Sequence, residues 1–164
     1  MKQLFIVIAW LFALAGCSGE PFHLRGKAAL PDAVQQGIYL QGVDIYSGFG
    51  LALRDVLEDA GAKVTQQPQF AATVLTVTRL DEKRTVSGYS STRQVREFIH
   101  TVEVGFRVKT PALPEAVEHG VRAERSQVYD GEYVLGTADE EVAIREELRQ
   151  EAARLILLRL QAVK

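Results

Sequence analysis

The 164-residue chain carries 19 lysines and arginines against 21 aspartates and glutamates, a formal charge of −2, so its composition does not point to a nucleic-acid partner, which would need a basic surplus. Its one cysteine excludes an intrachain disulfide framework. The length suits one domain built around a single core.

Residues 1–16 read as a signal peptide. Lys2 is its positive start, and Leu4 to Ala15 is an uncharged, mostly apolar run of twelve residues. A bilayer span takes roughly 20. The run ends in Leu14-Ala15-Gly16-Cys17, an aliphatic residue and two small ones before the cysteine, which is the pattern of a bacterial lipidation site. Cys17 is therefore the expected point of acylation, which also accounts for a lone cysteine in an exported chain. Several acyl chains hold a protein at a membrane where one alone binds marginally. Ser18, where aspartate would favour the inner membrane, points by analogy with enteric sorting to the outer membrane.

Residues 17–37 are polar, with Pro21, Gly26, Pro31 and Gly37, and read as an extended lead-in to a single domain over residues 38–164. Ile38-Tyr39-Leu40 predicts a first strand. Ser47 then offers a cap for a helix whose Phe49, Leu53, Val56, Leu57 and Ala60 make one apolar face, with Gly61 just past its end. Ala72 to Leu80 is β-prone. Val95 to Val108 alternates, with Val102, Val104, Phe106 and Val108 on one face and Thr101, Glu103, Gly105 and Arg107 on the other, as in a half-buried antiparallel strand. The polar stretch from Glu82 to Arg93 between them reads as the tip of a long hairpin. Val121 to Tyr129 predicts a further, more polar strand. Thr137 and Glu140 form a potential capping box for a last helix, with Val142, Leu148, Ala152, Leu155, Ile156 and Leu160 as its buried stripe. The order β-α-β-β-β-α predicts an α+β fold, two helices on one face of a four-stranded, mostly antiparallel or mixed sheet. The other face must then be polar or meet a partner.

Chemistry-bearing motifs are sparse. His23, His100 and His119 are scattered, without zinc spacing. HExxH, GxSxG, P-loop and GxGxxG patterns do not occur. Gly48-Phe49-Gly50 reads as a flexible helix start, and Glu140, Glu141, Glu146 and Glu147 as a solvated helix end. No enzyme, metal or cofactor is expected. Two polar groups stand out. His23 and Arg25 lie close behind Cys17, either as a docking element or as a polar linker. Lys83, Arg84, Arg93 and Arg96 gather around Tyr89 in the hairpin, where they could hold phosphate, face a partner, or be ordinary solvated charges diluted by Asp81, Glu82 and Glu97.

The opening Phe22-His23-Leu24-Arg25-Gly26, followed by Leu30-Pro31 and Ile38-Tyr39-Leu40, resembles the start of the LPS-assembly lipoproteins of the LptE family. Three residues, Ser18 to Glu20, separate it from the family's usual position behind the cysteine. Similar features continue through Leu57 to Gly61, Val95-Arg96-Glu97-Phe98, Val134-Leu135-Gly136 with Glu140-Glu141, and Arg145 to Leu160. The resemblance implies an outer-membrane lipoprotein that pairs with the β-barrel LptD as plug and assembly factor and takes part in delivering lipopolysaccharide to the outer leaflet. It also implies two helices on a four-stranded sheet. Lipopolysaccharide contact would fall on basic side chains near the hairpin tip, with Arg93, Arg96, Lys83 and Arg84 as candidates, and partner docking on His23, Arg25 and Tyr89. The chain departs from the family in having Ser90, Ser91 and Thr92 at the centre of the tip and Gly136-Thr137 at the approach to the last helix, without a basic residue at either. A different envelope lipoprotein, associated with barrel assembly or the cell wall, is the alternative.

Overall fold

The computed structural model describes residues 30–113, 115–128 and 134–162. In chain order these form α1 (Asp32–Gln36), β1 (Ile38–Gln41), α2 (Gly48–Asp59), β2 (Val64–Thr65), a 3-10 turn at Pro68–Phe70, β3 (Thr73–Tyr89), β4 (Val95–Lys109), β5 (Val117–Val128) and α3 (Val134–Gln161). The strands make one mixed sheet in the order β2-β1-β3-β4-β5. β1 runs parallel to both of its neighbours, and β3, β4 and β5 are antiparallel in turn.

The alternation legible in β4 decides which face is covered. Val102, Val104, Phe106 and Val108 are buried and join Ile38, Leu40, Leu75 and Val77 in one core with α2 and α3. The helices pack on each other, and α3 also lies along β4 and β5. Burying the Phe106 ring and its branched neighbours supplies the main favourable term, at roughly 1.5–3 kcal/mol for each fully buried side chain.

α2 is held at both ends as its sequence predicts. The Ser47 hydroxyl accepts the Gly50 N–H at 3.1 Å. At the other end Ala62 N–H bonds Leu57 C=O and Gly61 N–H bonds Glu58 C=O, both at 2.9 Å. This is a Schellman closure, and it needs the left-handed φ of +91° that Gly61 adopts. Ser47→Ala should lower stability by about 1 kcal/mol, read as a shifted urea midpoint with an unchanged slope. No shift would mean that the hydroxyl contributes nothing to the helix start.

The expected outline needs six corrections. The sheet has five strands, because the two-residue β2 pairs with β1; two residues are too few to carry a periodic signal. A third helix, α1, lies within the stretch expected to be extended, and it buries Val34 behind Leu30. The hairpin strands run on to Tyr89 and from Val95, so the tip shrinks to Ser90–Gln94. β5 begins at Val117 rather than Val121. Helix α3 begins at Val134, which puts Thr137 inside the helix and removes its capping role, and no acidic residue stands in the first turn. Finally, the buried stripe of α3 runs through Ile144, Leu148, Ala152, Ile156 and Leu160 at a spacing of four, whereas Val142 is 62 % exposed on another side of the helix.

Candidate functional site

The geometry of the distal sheet turns on one extra residue. Val77 pairs with Phe106 and Arg79 with Gly105, which leaves Thr78 as a bulge. Before it, odd-numbered residues of β3 face the helices. After it, Leu80, Glu82, Arg84 and Val86 do so, opposite Val104, Val102, His100 and Phe98. A single inserted residue exchanges the two faces of a strand because side chains alternate with a period of two.

Charges therefore meet beneath the N-terminal half of α3. Arg149 donates two hydrogen bonds to Glu82, each 2.9 Å long. That carboxylate raises the arginine's pKa above its ordinary value, against a smaller opposing effect of burial. Arg84 pairs with Glu141 and lies 4.5 Å from the centre of the Phe98 ring, a cation–π distance. Arg145 joins the same Glu141 at 2.8 Å, and Arg125 reaches Glu147 at 2.6 Å. Between Arg84 and Arg125, its two cross-strand neighbours, His100 is 4 % exposed. Its Nε2 lies 2.9 Å from Gln127 Oε1, and Gln127 Nε2 donates to Glu140 at 2.9 Å. A carboxylate accepts, so the amide is oriented and His100 donates from Nε2. Gln127→Met should cost roughly 1–3 kcal/mol by leaving a buried imidazole N–H unmatched, measured as a lower denaturant midpoint. An unchanged midpoint would show that water replaces the amide.

The uncovered face is polar. Glu103 takes Arg79 at 3.1 Å and Arg122 at 2.9 Å. Arg122 also grips Glu124, which raises the guanidinium's pKa. Gly105 and Gly120 pair directly across β4 and β5 and, with Thr78, Glu118 and the two arginines, line a shallow depression.

The structure separates the basic residues expected to cluster. Lys83 projects to the uncovered face and pairs with Asp81 at 2.5 Å, whereas Arg84 points under α3. Both belong to β3 and lie away from the tip. Tyr89, Arg93 and Arg96 do surround the tip and are exposed. Arg93 has a φ of 60°, a left-handed conformation that ordinarily selects glycine or asparagine. Cys17, His23 and Arg25 lie outside the described residues, as do Tyr129 and the Asp130-Gly131 connection. The helix-side role of Glu82 escapes sequence reasoning because the bulge hides the change of phase, and no periodic signal pairs Arg149, Gln127 or Glu140 with their partners. The trace the bulge leaves is Val77 and Leu80, apolar residues three apart on one face of one strand.

This arrangement of helices on a long, antiparallel hairpin sheet is that of solved bacterial lipoproteins. The chain is similar to lipoprotein B of Nitrosomonas europaea at 22 % identity and a TM-score of 0.70, over 86 % of this chain and 90 % of that one. It is similar to rare lipoprotein B of Shewanella oneidensis at 23 % identity and 0.66, over 77 % and 94 %. A minor lipoprotein of Acinetobacter baumannii follows at 18 % and 0.63, over 79 % and 92 %. At these identities the likeness establishes the fold. No curated protein matches the chain. The family model for LptE, lipopolysaccharide-assembly, matches residues 35–160, and the chain belongs to that family.

Proposed function

We propose that this chain is an outer-membrane lipoprotein that forms a complex with an LptD-type β-barrel, serving as its plug and assembly factor while lipopolysaccharide passes to the outer leaflet. The observation that carries the reading is the family match over residues 35–160. The amino-terminal pattern ending at Cys17 supplies the lipid anchor on the periplasmic side of the membrane. The role is one of binding and placement, without a chemical step.

The geometry favours the hairpin tip over the strand for glycolipid contact. Arg84 is engaged by Glu141 and Lys83 by Asp81, and each would have to give up a carboxylate to take a phosphate. Arg93 occupies a backbone conformation that costs roughly 1–2 kcal/mol for a side chain with a Cβ. A long cation kept at such a place supports a role for the guanidinium itself. Arg93 is accordingly the leading phosphate contact, with Arg96 at the start of β4 a second candidate, Tyr89 a contact to the barrel, and His23 with Arg25 a docking element near the anchor.

A photo-crosslinker placed in turn at Tyr89 and Arg93 tests this in outer membranes. Capture of one large β-barrel near one-to-one is the expected result. Recovery of cell-wall fragments alone, or of other assembly components, would replace the reading with a different envelope module.

A further inference from the structure

About a quarter of the chain is charged, at 24 %, yet beyond its amino-terminal segment two long stretches hold no charge at all. They are Ala33 to Val43 and Val64 to Thr78. The parallel pairing of β1 with β2 and β3 brings both to the β2 edge side of the sheet. The rim they form exposes glutamines and Phe70, and Tyr46, three residues past the first stretch, stands beside it, each ring 68 % exposed. Gln66 donates to the Tyr46 hydroxyl at 3.3 Å, which ties Tyr46 to the end of β2. The Phe70 carbonyl lies against Gly37, so closely that an added Cβ there would sit 2.6 Å away. Charges border the rim without entering it. Asp44 accepts the Tyr46 N–H at 2.9 Å, Lys63 is exposed beside β2, and Asp32 and Arg79 lie at the outer ends of the two stretches.

We propose that this rim rests on the lipid headgroup layer, with Phe70 and Tyr46 entering the membrane interface. The proposal rests on the lipid-anchored reading above. Aromatic rings with a polar surround favour that layer. The chain as a whole is acidic, and anionic headgroups repel carboxylates. A surface whose carboxylates, Asp44 and Asp32, are confined to its margins is where such a protein meets a membrane with the least repulsion, and Lys63 can lift its ammonium to a phosphate. The described chain begins at Leu30, close in sequence to the first stretch. Leu30 precedes Gly37 by seven residues and follows Cys17 by thirteen. Thirteen residues reach at most about 45 Å, so a lipid on Cys17 keeps the rim at high effective concentration near the bilayer.

The sole tryptophan is Trp10, within the segment removed with the signal peptide. The lipidated protein therefore offers a dark background for Phe70→Trp and, as a second reporter, Tyr46→Trp. Both sites are exposed, so the substitutions leave the core intact. Tyr89→Trp at the hairpin tip is the control. Each lipidated variant is incorporated into phosphatidylethanolamine–phosphatidylglycerol vesicles with or without brominated acyl chains and recovered by flotation. The expected result is blue-shifted emission from Trp at 70 and 46, with roughly half of it lost to bromine, and neither effect at 89. Flotation without quenching would overturn the proposal and leave the anchor intact. Quenching equal at all three sites would overturn it too, as would a blue shift that needs an added barrel protein, which would make the rim a protein interface. Failure to float would overturn the anchored reading and this proposal with it.

Discussion

Deleting Thr78 together with Arg79 should turn over the distal half of β3, whereas deleting Thr78 alone should not. Thr78 is exposed and unpaired in the ladder, between Val77 opposite Phe106 and Arg79 opposite Gly105, so its loss alone leaves a regular ladder with Leu80, Glu82 and Arg84 still on the helix side. Without both residues the register either slips throughout or places Asp81 and Lys83 beneath α3. The second outcome removes the Glu82 carboxylate from Arg149 and the Arg84 guanidinium from Glu141, and it sets charges against Leu148. Losses of this kind belong to the severe class of single changes, on the order of 3 kcal/mol or more. Urea unfolding should show the drop, and amide exchange should place it between Asp81 and Ile99. Thr78→Ala keeps the bulge and, as an exposed substitution, should stay within roughly 0.5 kcal/mol of the parent. A double deletion as mild as the alanine variant would mean that the hairpin restores the facing of its distal residues elsewhere at little cost.

The same residue marks where the sequence stops being legible. Up to Val77 the period of two is clean, and in β4 it stays clean from His100 to Val108, so the covered face, the hairpin and the position of the core follow from pattern alone. α2 is equally open to reading, because Ser47 and Gly61 sit where the chemistry of helix ends demands them. Beyond Thr78 the polar residues of β3 look like loop material, since burial beneath a helix through ion pairs resembles exposure in composition. Glu82 and Arg84 thus read as a solvated tip although they are strand residues with partners on α3. Local chemistry misled in the opposite sense at Thr137. It has the spacing of a capping box, but the helix has already begun at Val134. β2 and α1 are too short for any periodicity, and they exist because Ile38 and Val34 pack into a core built by distant residues.

Two kinds of polar residue result, and they predict different phenotypes. Those under α3 are paired, so changing them should act through folding. Those at the tip are exposed, so changing them should act through binding. The distinction is one of burial: a charge removed from a covered site leaves its partner stranded away from water, whereas one removed from an exposed site leaves its surroundings solvated. The uncovered sheet face falls in the second group, because the Arg79–Glu103–Arg122 cluster stands in solvent, where ion pairs add little to stability.

Phe106→Ala gives the clearest case of the first kind. The ring is fully buried at the middle of β4, paired with Val77 on one side and His119 on the other, with the His119 ring centre 5.5 Å away. Truncation removes the transfer term and leaves a cavity between two strands that cannot close without breaking their register, a cost of about 3–5 kcal/mol. Domains of this size have roughly 5–15 kcal/mol to lose, so the thermal midpoint should fall steeply and the steady-state level in the envelope with it. Every assay of assembly would then fail together, in proportion to the protein remaining. Arg93→Gly should do the reverse. Glycine relieves the left-handed strain, so the midpoint should hold or rise, while crosslinking of the tip to lipopolysaccharide is lost. If Arg93→Gly keeps full crosslinking, the guanidinium is not the contact. If Phe106→Ala keeps its midpoint, the centre of β4 is not where the stability of this sheet resides. A loss of function with the midpoint unchanged is the signature that separates a binding residue from a folding one, and Arg93 is the place in this chain where the two are expected to part most cleanly.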